Sequence, residues 1–279
     1  MSRHLILLSV LSITLNSCAQ SNSENDIIVD SNTALPSPKT REETENNLEV
    51  YEEEEYVFDF SPYHIQTHPD SSISYQTVLN HLSAKRNDLV QSGLTGDSLY
   101  EQAGHLFTES LINQIIPYWY GTKWDFEGHT NTPGEGQVAC GYFVSTTLRH
   151  AQIQINRYRL AQQHGLNEAK SLQPEEKLID LNSEEGNWGP VEEIVDSLSR
   201  LPEGLYFVGL DNHVGYLLHR EKGLFFLHSS YMDPVAVVIE PLNDSEAFWA
   251  SNRWVLADIT HNRFLMEKWL KQETISVVR

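Results

Sequence analysis

Near residue 204 the hydrophobic period of the chain changes, and this change limits the possible folds more than any other feature. Residues 204–210, 213–218 and 224–228 are short apolar runs rich in aromatic and branched side chains, set apart by turn residues such as Asp211, Asn212, Lys222 and Gly223. Further runs follow at 235–239, after Asp233-Pro234, and at 254–259. Upstream the spacing is helical. Tyr75, Val78, Leu79, Leu82, Leu89 and Val90 fit one amphipathic helix. A second carries Leu99, Ala103, Phe107, Leu111, Ile112 and Ile115, with Asp97 or Ser98 as N-cap and Pro117 as its end. Gly189-Pro190 followed by Val191, Ile194, Val195 and Leu198 predicts a short helix with proline at N1. Phe264, Leu265, Trp269 and Leu270 predict a closing one. Helices first and an antiparallel meander after make an α+β fold, with N-terminal helices packed on the sheet. The chain has no internal repeat.

Between the two halves lies the stretch Val138-Ala139-Cys140-Gly141-Tyr142-Phe143-Val144. It follows a polar, glycine-containing loop, and beyond it Phe143, Val144, Thr147, Leu148, Ala151 and Ile155 recur at helical spacing. Cys140 is therefore expected at a helix N-terminus, where unpaired backbone N–H groups and the helix dipole favour thiolate over thiol. A lone cysteine is otherwise a small buried hydrophobe.

The start of the chain bears on that choice. Arg3 and His4 precede an apolar run at residues 5–15, too short to span a bilayer and of the length of a signal h-region. Leu15-Asn16-Ser17-Cys18 then resembles a bacterial lipobox, with Cys18 as the lipidated residue; Asn16 is unusual at its position. Residues 1–18 are thus expected to be a lipoprotein signal, and acyl chains on Cys18 to hold the protein to a membrane. Of the two cysteines, lipidation uses Cys18 and leaves Cys140 without a disulfide partner. Residues 19–56 are rich in Ser, Asn, Glu and Pro. Residues 21–60 hold twelve acids and two bases, a net of −10, half of the chain's −20. That composition predicts an extended acidic tether, with Glu52-Glu53-Glu54-Glu55 as a solvated run. Residues 57–279 suit one globular domain, and its modest acidity argues against nucleic acid as a partner, since a phosphate-binding face needs clustered Lys and Arg.

Two histidines stand among the strands. His213 opens one after Asp211-Asn212, and His228 ends the next before Ser229-Ser230. A hairpin turning near Lys222-Gly223 brings these two strand ends together. A thiolate nucleophile needs a base to take its proton and return it to a leaving amine, and that imidazole needs a polar partner to fix its tautomer. Cys140, His213 and His228 fill those roles; Asn212 and Ser229 are the other candidates for the orienting group. His105 and His150 lie within helices and are expected to be structural or surface residues.

Taken together, Pro117-Tyr118-Trp119-Tyr120-Gly121-Thr122, Cys140-Gly141-Tyr142-Phe143-Val144, His213-Val214-Gly215-Tyr216-Leu217 and Phe226-Leu227-His228-Ser229-Ser230 resemble, in order and spacing, the motifs of the NlpC-type papain-like cysteine peptidases. Those bacterial enzymes cut cell-wall peptides. The resemblance covers roughly residues 100–240. It implies a papain-like fold, Cys140 as nucleophile, His213 as general base and His228 as orienting residue. It also implies Tyr118, with the backbone around Cys140 and Gly141, at the oxyanion or substrate site. The usual Asp-Cys-Ser-Gly-Phe of the family is here Ala139-Cys140-Gly141-Tyr142-Phe143. Family contacts to substrate are therefore missing while the catalytic groups remain, and the substrate stays open. His129 and Glu135, in the loop before Cys140, are possible substrate contacts.

The expectation is a membrane-tethered thiol hydrolase acting on an amide bond of peptidoglycan peptide, with no metal or cofactor called for. The alternatives are an acyltransferase or amidase on the same scaffold with a non-wall substrate, a non-catalytic envelope-binding lipoprotein, or a secreted effector.

Overall fold

The structure, a computed structural model, describes residues 57–174, 177–182, 191–221 and 223–279. The expected signal segment with Cys18, the expected acidic tether, Gly189-Pro190 and Lys222 lie outside the described residues. No described helix is long and apolar enough to cross a membrane.

Helix α1 spans Tyr75–Gln91, with Ser74 as N-cap accepting from the Thr77 N–H, and buries Val78, Leu82 and Leu89. Val90, expected on that face, is turned to solvent. Helix α2, Gly96–Ser110, begins two residues earlier than Asp97 as N-cap would allow and three earlier than Ser98 would; Thr95 holds that place without a side-chain cap bond. The chain then widens into one π-helical stretch at Leu111–Ile115 and tightens into a 3-10 turn at Ile116–Tyr118. Pro117, without an N–H and with a ring that crowds the carbonyl four residues back, accounts for the break. Helix α3, Cys140–His150, follows the polar loop. It stops before Ala151 and Ile155, so those two residues extend its apolar pattern but not its backbone. Short helices α4 (Arg157–Ala161) and α5 (Gly165–Leu172) follow, in a stretch for which the sequence predicted no element.

Among the described residues, six strands form one antiparallel sheet: β1 Ile179–Asn182, β2 Gly204–Gly209, β3 Val214–Arg220, β4 Gly223–Ser229, β5 Val237–Pro241 and β6 Arg253–Asp258. Their order is β1-β6-β2-β3-β4-β5. Helix α6, Val191–Ser199, precedes β2; α7, Glu246–Trp249, precedes β6; and α8, Arg263–Lys271, closes the fold. The α+β class is as expected, but both faces of the sheet are covered. Leu205, Phe207, Tyr216, Leu218, Phe225, Leu227, Val255 and Ala257 join the main core, which includes residues of α1, α2, α3 and α8. The alternate residues Tyr206, Val208, Leu217, Phe226, Trp254 and Leu256 form a second core with Leu198 of α6 and Phe248 of α7. Burial on both sides is why these strands read as continuous apolar runs rather than as alternations.

Two arrangements place the site. Tyr216 of β3 sends its hydroxyl to α3, donating to the Val144 carbonyl (3.1 Å) and lying 2.9 Å from Thr147 Oγ1, so sheet and helix are pinned by a buried polar contact. The loop before Cys140 is braced along its length. Val138 N–H donates to the Lys123 carbonyl and Ala139 N–H to that of Gly128, each within 2.9 Å, while Ser229 Oγ of β4 donates to the Val138 carbonyl at 2.7 Å. A Cβ on Gly128 would stand 2.6 Å from the Val138 nitrogen, so this crossing needs a glycine.

Candidate active site

Cys140 is the first residue of α3, after Ala139 as N-cap. Its thiol is free and keeps part of its surface on a cleft of about 810 Å³. The first-turn N–H groups of a helix favour a negative charge, as the sequence led us to expect. The surroundings reverse the balance. Burial pushes the Cys140 thiol up, and the nearby Glu168 carboxyl adds to it. Backbone N–H groups of Val214, Gly141 and Cys140 itself oppose the shift without cancelling it. The resting group is a thiol, and a base is needed to ionise it.

That base has a defined partner. His213 sits between β2 and β3, where its carbonyl accepts from the Leu210 N–H at 2.8 Å and closes the turn. It lines the same cleft as Cys140. Across the β3–β4 pair, His213 Nε2 stands 2.8 Å from His228 Nδ1, and His228 Nε2 stands 3.0 Å from Glu240 Oε1 on β5. His228 is fully buried and His213 nearly so. Burial holds the His213 pKa well below the usual imidazole value, with His228 adding to it. Burial also lowers His228, partly offset by Glu240. Both rings are therefore neutral near pH 7, and one assignment of protons satisfies the chain. Glu240, as a carboxylate, accepts from His228 Nε2–H. The bare Nδ1 of His228 then accepts from His213 Nε2–H, which leaves a lone pair on His213 Nδ1. Groups on two strands, β4 and β5, thus fix the tautomer of one imidazole in the turn before β3. Of the three residues considered for the orienting role, His228 alone bonds the His213 ring; Ser229 braces Val138, and Asn212 lines the cleft.

Other expected contacts lie elsewhere. Tyr118 is not on this cleft. Its hydroxyl donates to the Ile73 carbonyl (2.6 Å) and reaches that of Asp70 (3.2 Å), and it lines a separate depression beside α1. The Pro117 turn aims the ring toward that helix. Gly141 is on the cleft, but its role is also steric, because a Cβ there would stand 2.9 Å from the Ala161 carbonyl oxygen of α4. His129 and Glu135 are exposed and off the cleft; His129 Nδ1 lies 2.8 Å from the Glu127 carbonyl. His105 is exposed, and His150 ends α3, with Nδ1 2.8 Å from the Tyr75 hydroxyl.

Three cleft or chain residues escape a reading of the sequence. Glu240 looks like an ordinary polar strand residue. Trp124 follows the aromatic stretch and is set over the cleft because its N–H donates to the Val235 carbonyl at 3.1 Å. Its indole Nε1 is buried without a partner. Glu168, on α5, is 1% exposed beside Cys140, and its Oε2 also has no partner. No group of three or more His, Cys, Asp or Glu side chains among the described residues is disposed to hold a metal ion. No protein-family model, curated protein or solved structure matches this chain.

Proposed function

We propose that the protein is an exported, lipid-anchored thiol hydrolase of papain-like, NlpC-type architecture that cleaves an amide bond in peptidoglycan stem peptides or cross-links. The supporting observation is the meeting, on one cleft, of Cys140 at a helix start with His213, whose far nitrogen is fixed by His228 and Glu240. The choice of wall peptide rests on the resemblance of four motifs and on the lipobox; the fold alone carries no substrate.

The chemistry follows from the proton assignment. As Cys140 Sγ attacks the carbonyl carbon, its proton passes to the lone pair of His213 Nδ1. The imidazolium so formed still donates from Nε2 to His228, with the Glu240 carboxylate behind it. The oxyanion needs donors in place, and the Cys140 backbone N–H is one, since the first amides of a helix lack intrahelical acceptors. Tyr118 has its hydroxyl engaged elsewhere, so the unpartnered indole N–H of Trp124 is the second candidate. His213 then gives its proton to the leaving amine, and a thioester remains on Cys140. Water attacks that thioester, His213 takes the water's proton, and the acid is released with the thiol restored.

The test is digestion of purified peptidoglycan by residues 57–279, beside a Cys140→Ala control, with products read by mass spectrometry. New fragments that vanish in the control establish the peptidase and identify its bond. No products, with Cys140 still alkylated rapidly near neutral pH, redirect the search to another acyl substrate. Slow alkylation as well favours the non-catalytic binding lipoprotein, to which the upward-shifted thiol lends weight.

A further inference from the structure

We propose that the cleft beside Cys140 is a binding site for a primary ammonium group, with the Glu168 carboxylate as its counter-ion. This rests on Cys140 as the reactive group of the cleft, but not on which bond is cut.

Glu168 is the observation that demands an explanation. Its carboxyl is 1% exposed, lines the cleft, and leaves Oε2 buried without a hydrogen-bond partner. A buried polar atom with no partner costs on the order of 1–3 kcal/mol, and a lone buried charge costs more. In the resting protein the group meets this by keeping its proton, since burial pushes the carboxyl well above its usual range. The position is imposed by the backbone. Gly165 at the start of α5 lies against Gly209 at the end of β2 so closely that a Cβ on Gly165 would stand 2.6 Å from the Gly209 Cα. The fold therefore presses the helix that carries Glu168 against the sheet beside the cysteine.

A protonated carboxyl can donate to a carbonyl, and an ionised one can hold a cation; the rest of the cleft favours the cation. No lysine or arginine is among its lining residues, while Asp211 adds a second carboxylate. Trp124, Phe126, Tyr142 and Tyr231 supply aromatic surface, and a ring face attracts ammonium. The other titratable side chains on the cleft are Cys140, His164, His213 and the two tyrosines. An ammonium at Glu168 displaces the carboxyl proton and completes an ion pair.

The charge preference is read at Cys140 itself, without turnover. The protein is treated with 2-aminoethyl, methyl and 2-sulfonatoethyl methanethiosulfonate, each of which forms a mixed disulfide with the thiol and releases methanesulfinate. Rates at the Cys140 peptide are followed by mass spectrometry and referred to 2-mercaptoethanol. Ratios between reagents cancel any change in thiolate fraction. The cationic reagent should lead the anionic one by on the order of tenfold or more, and Glu168→Gln should remove most of that lead while Asp211→Asn removes less. Equal referred rates, or a lead unchanged in Glu168→Gln, overturn the proposal. A second arm needs no variant: butylammonium should slow iodoacetamide alkylation of Cys140 in the unaltered chain, whereas equal protection by butyramide refutes the site. Uncut peptidoglycan leaves these ratios untouched, and absent ratios leave the hydrolase reading standing.

Discussion

Replacing Glu240 with glutamine separates holding a tautomer from stabilising a charge. The carboxamide oxygen still accepts from His228 Nε2–H, so the chain from β5 through His228 to His213 keeps its hydrogen bonds. What is lost is the negative charge behind the imidazolium that forms when His213 takes the Cys140 proton. Across a 3.0 Å bond, one ring and a 2.8 Å bond, the carboxylate lies roughly 8 Å from His213 Nε2. At an effective dielectric of about 20, unit charges at that separation interact by about 2 kcal/mol, or roughly thirtyfold in the population of the ion pair. The Glu240 side chain is 23% exposed, and solvent screening brings the expectation to between about five- and thirtyfold. The assay is the rate of Cys140 alkylation by iodoacetamide, a neutral reagent, from pH 5 to 10. Glu240→Gln should react more slowly near pH 7, converge with the parent at high pH, and melt within about 2 °C of it. Glu240→Leu should also lose thermal stability, because His228 Nε2 becomes a buried donor without an acceptor. Equal alkylation profiles for the parent and Glu240→Gln would refute the contribution of the Glu240 charge to the ion pair.

Two further outcomes test the scaffold. Gly209→Ala places a Cβ 2.6 Å from backbone of Gly165, with no flexible side chain to yield, and should cost about 3 kcal/mol, or roughly 6–12 °C in Tm by calorimetry; an unchanged Tm would show that α5 is free to move off the sheet. His150 has its pKa lowered to about 4 by burial first and by Arg157 and Arg149 next. The unfolded chain binds a proton at this residue below about pH 6.5 and the folded one does not, so its contribution is complete above that value and declines as pH falls toward 4. The ceiling is about 3 kcal/mol, less for partial exposure. His150→Asn should therefore flatten the loss of stability between pH 6.5 and 4 measured by denaturant titration, and parallel curves would contradict the assignment.

The helices and strands were largely legible because their cause is local. Apolar residues at spacings of three and four marked α1, α2, α3 and α8, and short apolar runs between turn residues marked β2 to β6. Strand β1 and helices α4, α5 and α7 were not legible. Each is short, and each is held mainly by what it packs against, as with α5 and its glycine contact to β2. Cys140, His213 and His228 stood out because a lone thiol and two histidines at the ends of neighbouring strands are rare enough to connect. Tyr118 shows the limit of motif reading, since the turn at Pro117 sends its hydroxyl to main-chain carbonyls beside α1.

By itself the sequence determined the α+β order of elements, the start of a helix at Cys140 and the pairing of the strands that bear His213 and His228, because periodicity and turn chemistry act over a few residues. Only the tertiary structure decided the charge state of the site. Burial and neighbouring groups turn an expected thiolate into a thiol, keep two imidazoles neutral and leave Glu168 protonated. Desolvation depends on everything packed around a group, much of it distant along the chain, and no local pattern records it.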